Sequence, residues 1–152
     1  MRPDTEDDIG PLAPMPCFDL YAASRSVTAV YRPLLEPLGL TYPQYLVMVV
    51  LWQHEESTVR EILRELQLDY NTVSPLLKRL ETRGLLVRRR RTDDERSVTV
   101  ALTDEGRDLR ERTRHIPDVI GAAMGIDGPT VIKLREILRT ITASATAHAA
   151  KT

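Results

Sequence analysis

The sequence predicts a mainly α-helical protein with a two-stranded β-hairpin set between its helices, a winged helix-turn-helix plan flanked by further helices at both ends. Three observations predict it. Apolar residues recur at spacings of three and four over most of the chain, the period of a helix with one buried face. Only two runs, Leu85 to Arg90 and Ser97 to Leu102, read as extended, and they flank the short charged loop RTDDER. Ser, Thr or Asp stands before most helical stretches and glycine after several of them, where helices start and stop.

Residues 1–14, rich in Asp and Pro, read as a mobile arm. Pro16 suits a first helical turn. From there to Glu36, Leu20, Ala23, Val27, Val30 and Leu34 form one apolar stripe, and Pro37 and Gly39 stop the helix. Thr41 and Pro43 open a second helix to about Gln53, apolar nearly all round and therefore placed in the core. Ser57 or Thr58 caps a short third helix carrying Val59, Ile62, Leu63 and Leu66, with Glu61 in capping-box position. Asp69 caps a fourth, through Thr72, Leu76, Leu77 and Leu80 to Arg83, with Pro75 in its first two turns and Gly84 ending it. After the hairpin, Thr103 caps a long helix that Pro117 bends or interrupts and that Gly121 and Gly125 weaken. The stretch GIDGP is a loop. A last helix runs from about Pro129 to Ala147, with Val131, Leu134, Ile137, Leu138 and Ile141 on one face. The expected regions are therefore the arm (1–14), N-terminal helices (15–56), a helix-turn-helix with hairpin (57–102) and C-terminal helices (103–152).

The chain has 152 residues, 42% apolar and 28% charged, with a formal net charge of −1. That is the profile of a folded domain with a core of its own. No apolar run approaches the roughly 18 residues of a membrane span. The beginning, MRPDTEDDIG, is acidic and polar and unlike a secretion signal, so a cytoplasmic location is expected. The charge is uneven. Between Lys78 and Arg96 there are eight basic and four acidic residues, a local basic segment of the kind that meets nucleic acid. A single cysteine, Cys17, excludes an intrachain disulfide. His54, His115 and His148 are scattered without metal-ligand spacing, and no phosphate loop or catalytic triad occurs, so no metal, cofactor or enzymatic activity is expected.

In the order helix, turn, helix, hairpin, the second helix of the pair presents its N-terminal residues to the major groove of double-stranded DNA. Tyr70, Asn71, Thr72, Ser74, Lys78 and Arg79 are its exposed positions; Asn, Thr and Ser suit base edges, and Lys and Arg suit phosphates or guanine. Arg88 and Arg90 lie on the hairpin. Arg96 at its tip is placed to enter the minor groove, with Asp94 two residues away to orient its guanidinium.

The strings DERSVTVALTDEG, GLLVRRRRTDDER and LDYNTVSPLLKRLE resemble the wing, its leading strand and the recognition helix of the MarR regulators, and the resemblance covers nearly the whole chain. It implies a homodimer held by N- and C-terminal helices that binds a pseudo-palindromic operator, usually as a repressor. CFDLYAASRSVTAVYRPLLEPLGLTYPQYL and SPLLKRLE are similar to a narrower group, the organic-hydroperoxide sensors (OhrR). That similarity implies that Cys17 is the peroxide sensor, that Tyr31 and Tyr42 of the other subunit hydrogen-bond to it, and that an organic hydroperoxide is the effector. The chain departs from the group at the start of the recognition helix, where Asp69, Tyr70, Asn71 and Thr72 replace the usual DSGT, and in a hairpin loop one residue shorter.

The residues themselves support a sensing role. Cys17 falls at a helix N-terminus, which favours the thiolate. Cys17, Tyr21, Ser24, Thr28 and Tyr31 form a second, more polar stripe. Cys17 and Tyr31 lie about 21 Å apart along one helix and can meet only between two antiparallel copies. With no second cysteine, an oxidised Cys17 is left to a small cellular thiol or to over-oxidation. Two other readings remain open: a MarR-type regulator of a small aromatic ligand, with a pocket lined by Tyr21, Tyr45 and Trp52, and a thiol peroxidase using Cys17.

Overall fold

The structure is a computed structural model that describes residues 11–90 and 97–151. It divides into two compact units, Met1–Ile116 and Pro117–Thr152. Of the expected arm, residues 1–10 lie outside the described residues, as does the hairpin loop 91–96 with Asp94 and Arg96.

In the first unit, helix α1 (Pro16–Leu35) begins with Pro16 in its first turn and ends in a 3-10 turn over Glu36–Leu38. Gly39 closes the turn at φ +64°, in the left-handed region that glycine occupies at little cost. Leu35 is the one buried residue of α1. The predicted stripe is there by period but not by burial: Leu20 and Ala23 are exposed and Val27, Val30 and Leu34 only half-buried. Helix α2 (Tyr42–His54) opens with a reciprocal capping box between Thr41 and Gln44 and buries Tyr45, Val47, Met48, Leu51 and Trp52, as its continuous apolar pattern predicts.

The predicted two-stranded hairpin is a three-stranded antiparallel sheet, with β3 (Val98–Leu102) between β1 (Glu56–Thr58) and β2 (Leu86–Arg90). Ser57 pairs with Val100 and Arg88 pairs with the same residue from the other side. Three residues are too few to show a period of two, so β1 is invisible to a pattern search. Thr58 ends this strand and caps helix α3 (Val59–Leu66), accepting from Glu61 N while Glu61 accepts from Thr58 N at 2.8 Å. This settles the cap on Thr58; Ser57 is a buried strand residue.

Helix α4 (Tyr70–Thr82) is capped by Asp69, which accepts from Thr72 N at 2.8 Å. Val73, Leu77 and Leu80, at spacings of four and three, are buried, which turns Asn71, Pro75, Lys78 and Arg79 outward. Gly84 at φ +73° reverses the chain into β2.

Helix α5 (Asp104–Thr113), capped by Thr103, packs beside α2 through a buried bond from Trp52 Nε1 to the Gly106 carbonyl at 2.8 Å. A Cβ on Gly106 would stand 2.0 Å from the Leu85 carbonyl oxygen, a backbone atom that cannot swing aside. Gly106→Ala is therefore expected to destabilise the fold by about 2 kcal/mol or more through overpacking. A urea midpoint equal to wild type would contradict this contact.

Helix α6 (Ile116–Met124) begins after a break at Arg114 and His115, just ahead of the predicted interruption at Pro117. In the second unit, helix α7 (Gly128–Ala149) is capped by Asp127 and contains no buried residue; Ile132, Ile137 and Ile141 are exposed. Among the described residues no single helix is long and apolar enough to cross a membrane; one bent pair, Pro16–Leu38 with Tyr42–His54 at 74°, passes by length and composition alone.

Candidate nucleic-acid interface and cysteine region

The N-terminal half of α4 and the sheet flank an open groove of about 840 Å³, whose lining includes Thr58, Arg60, Tyr70, Ser74, Arg88 and Ser97. Tyr70, Ser74 and Lys78 fall at intervals of four on α4 and so share one side of the helix. Tyr70 is 59% exposed, and Asn71, Thr72, Lys78 and Arg79 are exposed as well. The predicted α4 residues thus lie on the solvent side of a helix whose other side is pinned in the core.

Of the three arginines of β2, the two singled out from the sequence, Arg88 and Arg90, differ in their contacts. In β2, Leu86, Arg88 and Arg90 alternate onto one face, opposite Leu102, Val100 and Val98 of β3. Arg88 reaches α4, where its Nε and terminal nitrogen donate to Glu81 Oε2 at 3.0 and 2.8 Å and its backbone N–H donates to Glu81 Oε1. These bonds hold the Glu81 carboxyl below its usual range. Arg88 is therefore an internal tie between sheet and helix in the free protein, although, like Arg90, it is exposed. Arg60, in the first turn of α3, shares the groove although the sequence reading passed over it. Its signal was position: within the first turn after a capped start, on the bracing helix that crosses the DNA backbone in helix-turn-helix proteins. It lay outside the basic window from Lys78 to Arg96.

Cys17 is exposed in the first turn of α1, directly after Pro16. Tyr21, 57% exposed, lies beneath the Arg25 guanidinium, 5.4 Å from its ring centroid. Toward the other end of α1 an aromatic chain forms. Tyr31 and Tyr42 stack at 4.3 Å between centroids, Tyr31 and Tyr45 stand 5.8 Å apart, and Tyr45 meets Trp52 edge-on at 6.0 Å. Tyr31 and Tyr42, predicted to act together, are brought together. The predicted ligand pocket of Tyr21, Tyr45 and Trp52 is not assembled in this chain: Tyr45 and Trp52 are core residues, the indole N–H is taken by Gly106, and Tyr21 stands in solvent. Among the described residues, no three His, Cys, Asp or Glu side chains gather as metal ligands.

Burial, then the neighbouring phenols of Tyr42 and Tyr45 and a hydrogen bond to Tyr42, push the Tyr31 pKa up from 10.0 to about 12. The phenol therefore stays protonated, and able to donate, throughout the neutral range. A tyrosine whose pKa rises on folding keeps its proton longer in the native state than in the unfolded one, so its stabilisation is whole below pH 10 and is lost between pH 10 and about 12. Tyr31→Phe is expected to flatten the fall of stability with pH in that window. Identical alkaline unfolding curves for wild type and variant would contradict the shift.

Residues 29–113 match the family of SarA/Rot transcriptional regulators. The chain is 44% identical over 125 residues to the organic hydroperoxide resistance transcriptional regulator of Bacillus subtilis, covering 82% of this chain and 85% of that protein. Reduced AbfR bound to DNA, the Staphylococcus epidermidis protein also solved in overoxidized and disulfide-formed states, superimposes with a TM-score of 0.76 at 34% identity, over 88% of this chain and 94% of that one. A MarR-family regulator from Rhodococcus sp. RHA1 gives a TM-score of 0.75 at 28% identity, over 87% and 95%. With its helix pair, its small sheet and these likenesses along most of its length, the chain belongs to the winged-helix transcriptional regulators of the SarA/Rot and MarR type.

Proposed function

We propose that the protein is a dimeric, cytoplasmic repressor that binds a pseudo-palindromic operator through α3, α4 and the hairpin, and releases it when an organic hydroperoxide oxidises Cys17. The observation that carries the reading is the pairing of Tyr31 with Tyr42 at one end of α1 and an exposed Cys17 at the other. About 21 Å of helix separates them. Two α1 helices crossing antiparallel bring each cysteine to the other subunit's phenol pair. The exposed apolar residues of α1 and α7 supply surface for such a dimer. The names of the relatives agree: one is an organic hydroperoxide resistance transcriptional regulator, and the other is described in reduced, overoxidized and disulfide forms.

In this mechanism the Cys17 thiolate attacks the terminal peroxide oxygen. The O–O bond breaks, the alcohol leaves with a proton, and sulfur is oxidised by two electrons to sulfenic acid. A small cellular thiol then attacks that sulfur, water leaves, and a mixed disulfide forms. The added bulk forces the phenol-lined seam apart and spoils the half-site spacing of about 34–36 Å. The test is binding to the DNA upstream of its own gene, in the presence of a small thiol, followed by fluorescence anisotropy with and without cumene hydroperoxide. Wild type should release and Cys17→Ser should stay bound; equal release by both would overturn the reading.

A further inference from the structure

Arg83, the residue that ends α4, is a basic side chain at the end of the reading helix, and its position alone suggests a phosphate contact. Its hydrogen bonds point elsewhere. One terminal nitrogen donates to the Leu38 carbonyl at 2.9 Å and the other to the Gly39 carbonyl. These acceptors sit in the left-handed turn between α1 and α2, some 45 residues away in sequence. A Cβ on Gly39 would meet the guanidinium at 3.0 to 3.2 Å, so glycine there is what lets the arginine lie flat on the turn. The turn is itself fixed, with Leu40 N donating to the Leu35 carbonyl at 3.1 Å and Leu35 buried.

We propose that Arg83 is a positioning residue for DNA reading: it fixes the C-terminal end of α4 to the α1–α2 turn and so sets the angle at which Tyr70, Asn71 and Ser74 meet the bases. The planar guanidinium fork fits two adjacent carbonyls, which a single ammonium does not. Other ties of the α4 region, the Glu81–Arg88 pair and the Leu85 N to Leu80 O bond, join it to β2 or to itself; the Arg83 bonds join its end to the α1–α2 turn. Phosphate contacts bind all sequences alike, whereas base contacts depend on helix angle. Loss of the tie should therefore cost specific affinity and spare non-specific affinity. The proposal rests on DNA binding through α4 but not on the redox reading.

The experiment compares Arg83→Met, which keeps the aliphatic stem, with Gly39→Ala, whose Cβ crowds the guanidinium from the opposite side and whose φ of +64° also strains the turn. Arg79→Ala serves as a phosphate-type control. The probes are a duplex selected from a random pool by the wild-type protein and a scrambled duplex of the same composition, each over a series of salt concentrations. For Arg83→Met and Gly39→Ala we expect affinity for the selected duplex to fall about tenfold, affinity for the scrambled duplex to hold, and the salt slope to stay that of wild type. Arg79→Ala should weaken both duplexes alike and lower the slope by about one. A smaller salt slope for Arg83→Met would overturn the proposal in favour of a phosphate contact. Parallel loss on both duplexes with a lower melting temperature would overturn it in favour of a general stabilising role. If wild type selects no sequence from the pool, the DNA-binding reading fails and the positioning role fails with it.

Discussion

Reversing the charge of Lys78 and Arg79 together should lower DNA affinity roughly a hundredfold or more at moderate salt and cut the dependence of log affinity on log salt by about two. Both side chains are exposed on α4, on the side away from the buried Val73, Leu77 and Leu80, so the substitutions meet solvent and leave the core untouched. The effect on folding should be within about 0.5 kcal/mol, as for ordinary surface changes. Filter-binding titrations over a salt series, with thermal unfolding alongside, separate the two outcomes. An unchanged salt slope would remove this side of α4 from the interface, whatever the change in affinity.

The second large effect concerns the phenols. Tyr31→Phe and Tyr42→Phe should each slow oxidation of Cys17 by hydroperoxide about tenfold while changing DNA affinity little. A phenol donating to a thiolate favours the charged form, and one unit of pKa corresponds to a factor of ten in the ionised fraction when the thiol is mostly protonated. Stopped-flow alkylation of Cys17 against pH measures the thiolate directly. Superimposable curves for wild type and both variants would reduce the tyrosines to packing. The proposed antiparallel crossing would place the two cysteines of a dimer at opposite ends of the helices, well beyond the roughly 7 Å between Cα atoms that a disulfide bridges. The oxidised protein should therefore run as a monomer on a non-reducing gel and carry a thiol adduct or added oxygens on Cys17.

The caps were readable in the sequence because each is a local statement. Thr41, Thr58, Asp69 and Thr103 all accept from the backbone N–H three residues on, and no distant contact is needed to foresee that. The buried face of α4 was readable in part: of the residues the sequence singles out there, Leu77 and Leu80 are buried, Leu76 is half-buried and Thr72 exposed, and Val73, which completes the face, is not among them. What stayed hidden depends on residues far apart in the chain. Strand β1 exists because Ser57 pairs with Val100. Arg88 looked like one of four equivalent arginines until Glu81, seven residues away across a turn, claimed it. Arg83 looked like part of the same basic run, and its acceptors lie at Leu38 and Gly39. For the cysteine region, period alone placed Cys17 and Tyr31 on one stripe, but the stacking of Tyr31 on Tyr42 requires the turn that folds α2 back beside α1.

One titration tests the whole account most directly. The protein, bound to the DNA upstream of its own gene and supplied with a small thiol, is taken through increasing organic hydroperoxide, and at each step the fraction of DNA released and the fraction of Cys17 modified are measured on the same sample, the second by mass spectrometry. The two fractions should rise together and fall together when a reductant removes the adduct, with Cys17→Ser showing no release. Full modification of Cys17 on protein that remains bound to DNA, or full release from protein whose Cys17 is unmodified, would contradict it.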